Sequence, residues 1–496
     1  MKSLFKNNNL YSFIIILIFC FLIRGPFFQI INNDPDENSY LILSKLLAEY
    51  DFILYQDIWF DKLPLSALIF EKGYYIFGAD FEAYRLTGLL FVFFSAVVTF
   101  NISYLVVRKK NLALLASVLS IYIQTMWFGG IGFVTEHIVI LFLNLSLFFY
   151  LKKIKYNTYL FYLFLCMAAL VRQNIVILLF LLLIFENYKK KNFNYFISSF
   201  ATCILIFFVN FIYLYLNLGL EKTIDYFIIF PLNYAGQFSV LSNFLNLIDN
   251  GILYFVNFKN YNYQVLSFSK HFFIFLIFWL PLFVYSFQLI KQKKVDDKIN
   301  FIFFYILILF FVSCFGWKSE KYLIMVLPFC IYIFVYIFDL NKNKFSKIIY
   351  FFIFFLVLSQ TSLIYLKKLV TNQSNNYETS NQYMIVEYLK KNSEIETIFV
   401  TQDGGLIHYF YDKKLLHKML NLNYLLNDKI TKKIFNMDSE KYINQIFLNK
   451  PDAVIRPRAK EHYLNKKDVE NIELNLKKNY VLSKTLYGYR IYLINN

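Results

Sequence analysis

Apolar stretches long enough to cross a bilayer recur from Tyr11 to about Leu366, after which the chain turns to mixed polar and apolar sequence. The first stretch, 11–31, is long and lacks a small-residue cleavage site, so it reads as a retained span and not a signal peptide. Further spans are predicted at 86–107, 112–128, 137–151, 193–216, 266–290, 299–315, 322–338 and 348–366. The segment 157–185 is harder. Lysine clusters at both ends place them on one side of the membrane, yet about 29 residues are too few for two full crossings at ~1.5 Å per residue. Two short helices turning near Arg172-Gln173-Asn174 satisfy both conditions, provided the polar tip sits in protein or a water-filled cavity. The expectation is a polytopic α-helical membrane protein with about 11 membrane helices.

Beyond the spans the period changes. The stretch 371–382 is polar and rich in Asn and Ser, and reads as a linker. Residues 383–391 have a helical pattern, 397–401 and 452–456 read as strands, and 480–493 as a hairpin turning at Tyr487-Gly488. The organisation predicted is therefore a membrane-embedded domain (1–370) with a first external loop at 32–85, the linker, and a small α/β domain at 383–496. No internal repeat is visible.

Charge fixes the sidedness. Lys and Arg number 50 against 33 Asp and Glu, a net +17 in a chain that is 58% hydrophobic and only 17% charged. Most of the excess lies in short clusters between spans: Arg108 to Lys110, Lys152-Lys153, Lys189 to Lys191, Lys291 to Lys294 and Lys342 to Lys347. Short basic loops mark the cytoplasmic side, so no nucleic-acid partner is needed to explain the charge. Lys2 and Lys6 put the N-terminus inside, and the count of spans then puts 383–496 outside. The abundance of Lys, Asn, Ile, Phe and Tyr reads as an AT-rich coding sequence, hence a bacterial cytoplasmic (inner) membrane with an extracytoplasmic C-terminal domain. Cys20, Cys166, Cys203, Cys314 and Cys330 all fall in apolar spans, which leaves the outer domain no disulfide framework. His137, His271, His408, His417 and His462 have no ligand spacing, so neither a metal nor another cofactor is expected.

The first external loop holds most of the candidate chemistry. It opens with Asp34-Pro35-Asp36-Glu37, with Tyr40 three residues on. An N-cap Asp, a Pro at N1 and acids behind it is how a helix begins, and on the motif alone capping is favoured slightly over catalysis. Position alters that balance, because these acids emerge directly from the first span, where a carboxylate meets the head group of a lipid-linked substrate. The helix that follows carries Leu43, Leu46, Leu47 and Tyr50 on one face and is expected along the membrane interface. Further on come Trp59-Phe60-Asp61-Lys62-Leu63-Pro64, then Phe77-Gly78 and Tyr84-Arg85. A lysine just ahead of a proline-initiated helix can reach a phosphate, although a single loop lysine is more often just solvated. Arg24 and Arg172 lie within or between apolar spans, where a charge costs roughly 2.5–3.5 kcal/mol at a helix centre. They either face a cavity or are structurally paired. Glu136, in Thr135-Glu136-His137 at the outer end of a span, reads about equally as lining a cavity or anchoring at the interface.

The order of these features resembles the GT-C membrane glycosyltransferases: an Asp-Glu pair with Tyr three residues on after helix one, an aromatic-acid-Lys segment before Pro, then Phe-Gly and an Arg entering helix two. The likeness is to the branch with protein O-mannosyltransferases and the lipid A aminoarabinose transferase. It is most specific over about residues 20–150, and is joined later by Lys318-Ser319-Glu320-Lys321-Tyr322 and by the outer domain. It implies a sugar donor on a polyprenyl phosphate, inversion at the anomeric carbon, and a lipid or protein acceptor among membrane lipids. Asp36 then matches the general base with Glu37 in support. Lys62, Arg85 and Lys321 match the positions near the donor phosphate, and Tyr40, Glu136, Arg24 and Arg172 those lining the cavity. A transporter or flippase of lipid-linked sugars is the alternative. It predicts inverted repeats or paired Gly/Pro-broken helices, and neither is visible. A membrane-anchored scaffold leaves the acidic loop unexplained.

Overall fold

The computed structural model describes residues 7–28, 35–78, 80–126, 132–152, 156–229, 280–291, 296–313, 321–340, 380–391, 395–401, 405–413, 415–418, 438–458 and 464–495. Its helices in chain order are α1 Asn7–Arg24, α2 Pro35–Glu49, α3 Pro64–Phe77, α4 Phe81–Val107, α5 Lys110–Met126, α6 Thr135–Lys152, α7 Asn157–Val171, α8 Ile175–Lys190, α9 Phe193–Leu218, α10 Leu220–Ile224, α11 Leu280–Lys291, α12 Asp297–Ser313, α13 Leu327–Leu340, α14 Asn381–Lys390, α15 Gly405–Tyr411, α16 Ser439–Leu448 and α17 Lys466–Asn479. The strands are β1 Ile398–Val400, β2 Ala453–Pro457, β3 Tyr480–Leu486 and β4 Tyr489–Ile494. Several expected features lie outside the described residues: the span at 348–366, most of that at 266–290, the external stretch 230–264, the linker up to residue 379, Asp34, Lys318 to Glu320, Cys314, His271 and His462.

The chain divides into two compact units, the first comprising Met1–Phe28, Arg85–Asn210 and Ala235–Asn372. It is a bundle of apolar helices. Among the described residues, Leu10–Phe27, α4, α6 and α9 are each long and apolar enough to cross a membrane, as a multi-pass membrane protein requires. The hairpin expected at 157–185 is present as α7 and α8, 15 and 16 residues long, turning through Arg172 to Asn174. Aromatic side chains fill the inner faces, with Tyr150 stacked on Phe301 at 3.6 Å and Phe185 on Phe304 at 4.2 Å between ring centroids. A buried polar network ties α4, α5, α6 and α13: Tyr332 donates to Asn144 Oδ1 (2.6 Å), Asn144 Nδ2 to Ser95 Oγ (3.0 Å), and Gln124 Nε2 to Ser120 Oγ (2.9 Å) and Ser95 Oγ (3.3 Å). Such bonds join helices where lipid supplies no hydrophobic drive. Lys109, ahead of α5, pairs with Asp339 in the last turn of α13, so those two ends share one side of the bundle. Both had been placed there by their lysine clusters.

The second unit comprises Gln29–Tyr84, Phe211–Tyr234 and Gln373–Asn496. The loop after α1 and the C-terminal region thus belong to one compact body. Its four-stranded sheet runs β1-β2-β4-β3, with β1 and β2 parallel and the remaining pairs antiparallel. Asp452 fastens the parallel pair, its Oδ2 accepting from Glu396 N (2.9 Å), Thr397 N (2.7 Å) and Thr397 Oγ1 (2.7 Å). The β3–β4 turn falls at Tyr487 and Gly488 as expected, both with positive φ (48° and 84°), the geometry of a two-residue hairpin loop. α16 and α17 pack together over Phe399, Val454 and Tyr480, burying Ile443, Ile446 and Ile472. Asp438 and Asn465 cap them, accepting from Lys441 N and Asp468 N at 2.9 Å each.

Candidate active site

Within the second unit, Asp36 and Glu37 occupy the first turn of α2, where the unpaired N–H groups of a helix start favour negative charge. Asp36 is half-buried and Glu37 wholly buried. The helix is held from two sides. On one, Tyr40 stacks on Phe70 of α3 (4.8 Å) and meets Phe60 edge-on (5.8 Å). Leu43 and Leu46 are buried inside the protein, at 0% and 3% exposure, which corrects the expectation that this face lies along the membrane interface. The face meets protein because α3 and the C-terminal region cover α2, partners that its own amphipathic pattern does not reveal.

On the other side lies α15. Lys45 of α2 pairs with Asp412 (2.6 Å), donates to Tyr409 O (3.2 Å) and sits over the Tyr409 ring at 5.1 Å. Tyr50 also donates to Asp412, at 3.1 Å. Near the other end of α2, a Cβ on Gly405 would stand 2.8 Å from the Cβ of Asn38. Trp59 N donates to Lys418 O (2.7 Å), and Lys418 Nζ to Gln56 O. Burial raises the Asp412 carboxyl, but the hydrogen bond and charge of Lys45, with the Tyr50 hydroxyl, bring it below the ordinary Asp value. Burial, and then the neighbouring His417, holds His408 on α15 down at about 3, so it is neutral at physiological pH.

Lys62 lies two residues before Pro64, which opens α3 at N1 behind an extended Leu63. Its ammonium is paired with Asp61, both side chains are largely shielded (13% and 11% exposed), and Tyr55 donates to its carbonyl. Asp36, Glu37, Tyr40 and Lys62 therefore share the second unit.

The other candidates share the first unit and gather at one end of its bundle. Arg24 closes α1 and is buried, its Nη2 donating to Gly132 O in the turn before α6. Arg85, near the start of α4, donates to the carbonyl of Phe27, just beyond α1. Glu136, in the first turn of α6, is fully buried and lies 2.9 Å from Arg172 Nη2 at the α7–α8 turn. Arg172 Nε also donates to Thr135 Oγ1 (3.1 Å), and its guanidinium lies over the Tyr322 ring at 4.6 Å. The backbone of Lys321 precedes Tyr322 in a short 3₁₀ turn, which brings that segment to the same end. The hairpin tip thus sits in protein, as its polarity required. Next to Glu136, His137 Nδ1 accepts from Val134 N (3.3 Å), so Nε2 carries the proton and donates to Gln124 O (2.9 Å). Among the described residues no group of His, Cys, Asp and Glu could hold a metal ion. Sequence reasoning missed Lys45, Asp412 and Gly405; only the Asp403-Gly404-Gly405 run, a turn signal, hinted at a special position.

By sequence, no family model and no curated protein matches the chain. By structure, it resembles ArnT from Cupriavidus metallidurans bound to undecaprenyl phosphate, with a TM-score of 0.61 at 12% identity over 97% of each chain. The apo form of ArnT matches over the same shares with a TM-score of 0.50 at 11% identity. The Archaeoglobus fulgidus oligosaccharyltransferase, in complex with Zn and sulfate, matches with a TM-score of 0.51 at 10% identity, over 97% of this chain and 73% of that one. Both proteins are GT-C glycosyltransferases. The chain has the GT-C fold. The GT-C likeness expected from the first loop thus extends over nearly the whole chain, the C-terminal region included.

Proposed function

We propose that this GT-C chain is a glycosyltransferase that moves a sugar from a polyprenyl-phosphate donor to a lipid or protein acceptor at the outer face of a bacterial cytoplasmic membrane. The observation that carries the reading is the fold match, over 97% of the chain, to an ArnT bound to undecaprenyl phosphate. In this reading the acceptor hydroxyl attacks the anomeric carbon from the face opposite the phosphate, and Asp36 takes its proton while Glu37 supports the turn. The bond from the anomeric carbon to the phosphate oxygen breaks, polyprenyl phosphate leaves, and the configuration inverts. Lys62 is assigned to the leaving phosphate, whose charge a cation stabilises. The Asp61 carboxylate on Lys62 is then exchanged for phosphate, which keeps the ammonium paired before the donor arrives.

Asp36→Asn tests the assignment. Asn keeps the size and caps a helix about as well as Asp. A merely structural Asp36 therefore predicts nearly normal transfer, whereas a general base predicts a fall of roughly 100-fold or more. Asp34→Asn is the matched control, and in vitro transfer from a polyprenyl-phosphate sugar is the assay. Wild-type turnover by Asp36→Asn, or equal loss in both variants, removes the base assignment. For sidedness, alkaline phosphatase fused after Asn496 is expected to be active.

A further inference from the structure

α15 contacts α2 at two places that lie at matching ends. Gly405 meets Asn38, one residue past Glu37, and Asp412 meets Lys45 and Tyr50 farther along. The two helices therefore run side by side in the same direction. Asn38 and Lys45 stand seven residues apart, two helical turns, so α15 follows one stripe of α2. The contacts differ in kind. At the far end they are a charged pair and a hydroxyl, with Asp412 half in water (55% exposed), a weak and adjustable link. Next to the acidic turn the Gly405 backbone lies against Asn38 with no room: an added Cβ at Gly405 would stand 2.8 Å from Asn38 Cβ and 3.3 Å from its carbonyl carbon. Carbon atoms rest at about 3.5–4.0 Å, so any side chain at 405 forces the helices apart by more than about half an ångström. Gly405 has no positive φ, so close approach and not backbone conformation is what asks for glycine here.

We infer that Gly405 is a positioning residue: α15, from the C-terminal region, sets the depth of the first turn of α2 and so the place of Asp36 and Glu37. This deepens the transferase reading and rests on it for its catalytic consequence. Misplacement of a reacting group by about an ångström can cost on the order of 100-fold in rate. For Gly405→Ala in the full chain, kcat for transfer from a polyprenyl-phosphate sugar should fall about tenfold or more, with donor KM within about twofold of wild type. Amide exchange of peptides covering 36–44 should rise as well. A simple loss of folded protein moves neither kcat per folded molecule nor that split. Wild-type kcat with unchanged exchange at 36–44 overturns the inference and leaves the transferase reading intact. No transfer by the wild type, with raised exchange in Gly405→Ala, sinks the transferase reading and leaves the packing role standing. If Gly405→Ala does not accumulate, the far end serves instead. Lys45→Met, which loses the Asp412 pair, the bond to Tyr409 O and the contact with the Tyr409 ring together, should raise exchange at 36–44 and lower kcat, and wild-type values for both overturn the role of α15.

Discussion

Glu136 and the pair Asp36–Glu37 both open helices, where free N–H groups favour a carboxylate, yet the two regions fix their acids by different means. In the apolar bundle Glu136 is fully buried against Arg172, which is bound in turn by Thr135 and lies over Tyr322. Neither charge can change there without stranding the other. In the second unit α2 is held along its body, by Tyr40, Leu43 and Leu46 on one side and α15 on the other. Position is thus supplied by packing beyond the acidic turn itself.

The largest expected effect tests that contrast directly. Glu136→Gln leaves the Arg172 guanidinium buried without its counter-charge and should destabilise the protein by about 3–5 kcal/mol, read as a lowered melting temperature in detergent. Adding Arg172→Met should recover most of it, while Asp36→Asn should stay within about 0.5 kcal/mol of wild type. Similar melting losses at both sites would break the comparison.

Next in size is Lys62→Ala. If the ammonium exchanges Asp61 for phosphate, its removal costs about 1.5–3 kcal/mol of donor interaction, so transfer at limiting donor should fall at least tenfold. Unchanged kinetics across donor concentrations return Lys62 to an ordinary ion pair.

Acid should loosen the second unit through His408. Its folded value of about 3 lies below the ordinary 6.5, so the unfolded chain binds the proton first and stability is lost as pH falls below 6.5. The slope is at most about 1.4 kcal/mol per pH unit, or about 2 kcal/mol by pH 5. Exchange of α15 amides between pH 7 and 5 reads it, and His408→Gln should flatten the response. The smallest effect belongs to Lys109→Ala at the opposite end of the bundle. That half-exposed pair with Asp339 should be worth less than about 1 kcal/mol in a thermal melt.

Much of the bundle was legible because membrane helices write their length into hydropathy. Residues 86–107 and 193–216 reappear as α4 and α9 nearly unchanged. The hairpin at Arg172 was legible from lysine parity, and the β3–β4 turn from Tyr487-Gly488 with its two positive φ angles. α16 and α17 went unread, although Asp438 and Asn465 stand as caps before amphipathic runs. Their apolar stripe, Tyr442, Ile443, Ile446 and Phe447 in α16, is strongly helical in period but lies among too many polar residues to stand out by hydropathy. The contact of Gly405 with Asn38 had no local signature at all, since the two lie far apart in sequence and nothing near either specifies the other. Lys45 went unread for the same reason; its partner Asp412 comes from the far end of the chain.

The hairpin also dictates an order of assembly. Helices of 15 and 16 residues reach only about 22–24 Å, short of the ~30 Å hydrocarbon core, so neither is a good independent client for the insertion machinery. Arg172 between them adds a further penalty of a few kcal/mol if it meets lipid alone. Glu136 is synthesised first, and α6, which carries it, is long and apolar enough to settle in the bilayer on its own. Partition of α7 and α8 is therefore a templated event, in which the nascent pair enters together against α6 and the arginine finds its anion on arrival. A ribosome stalled before α8 is complete should leave α7 still protected by the translocon, and release it only when the turn can close.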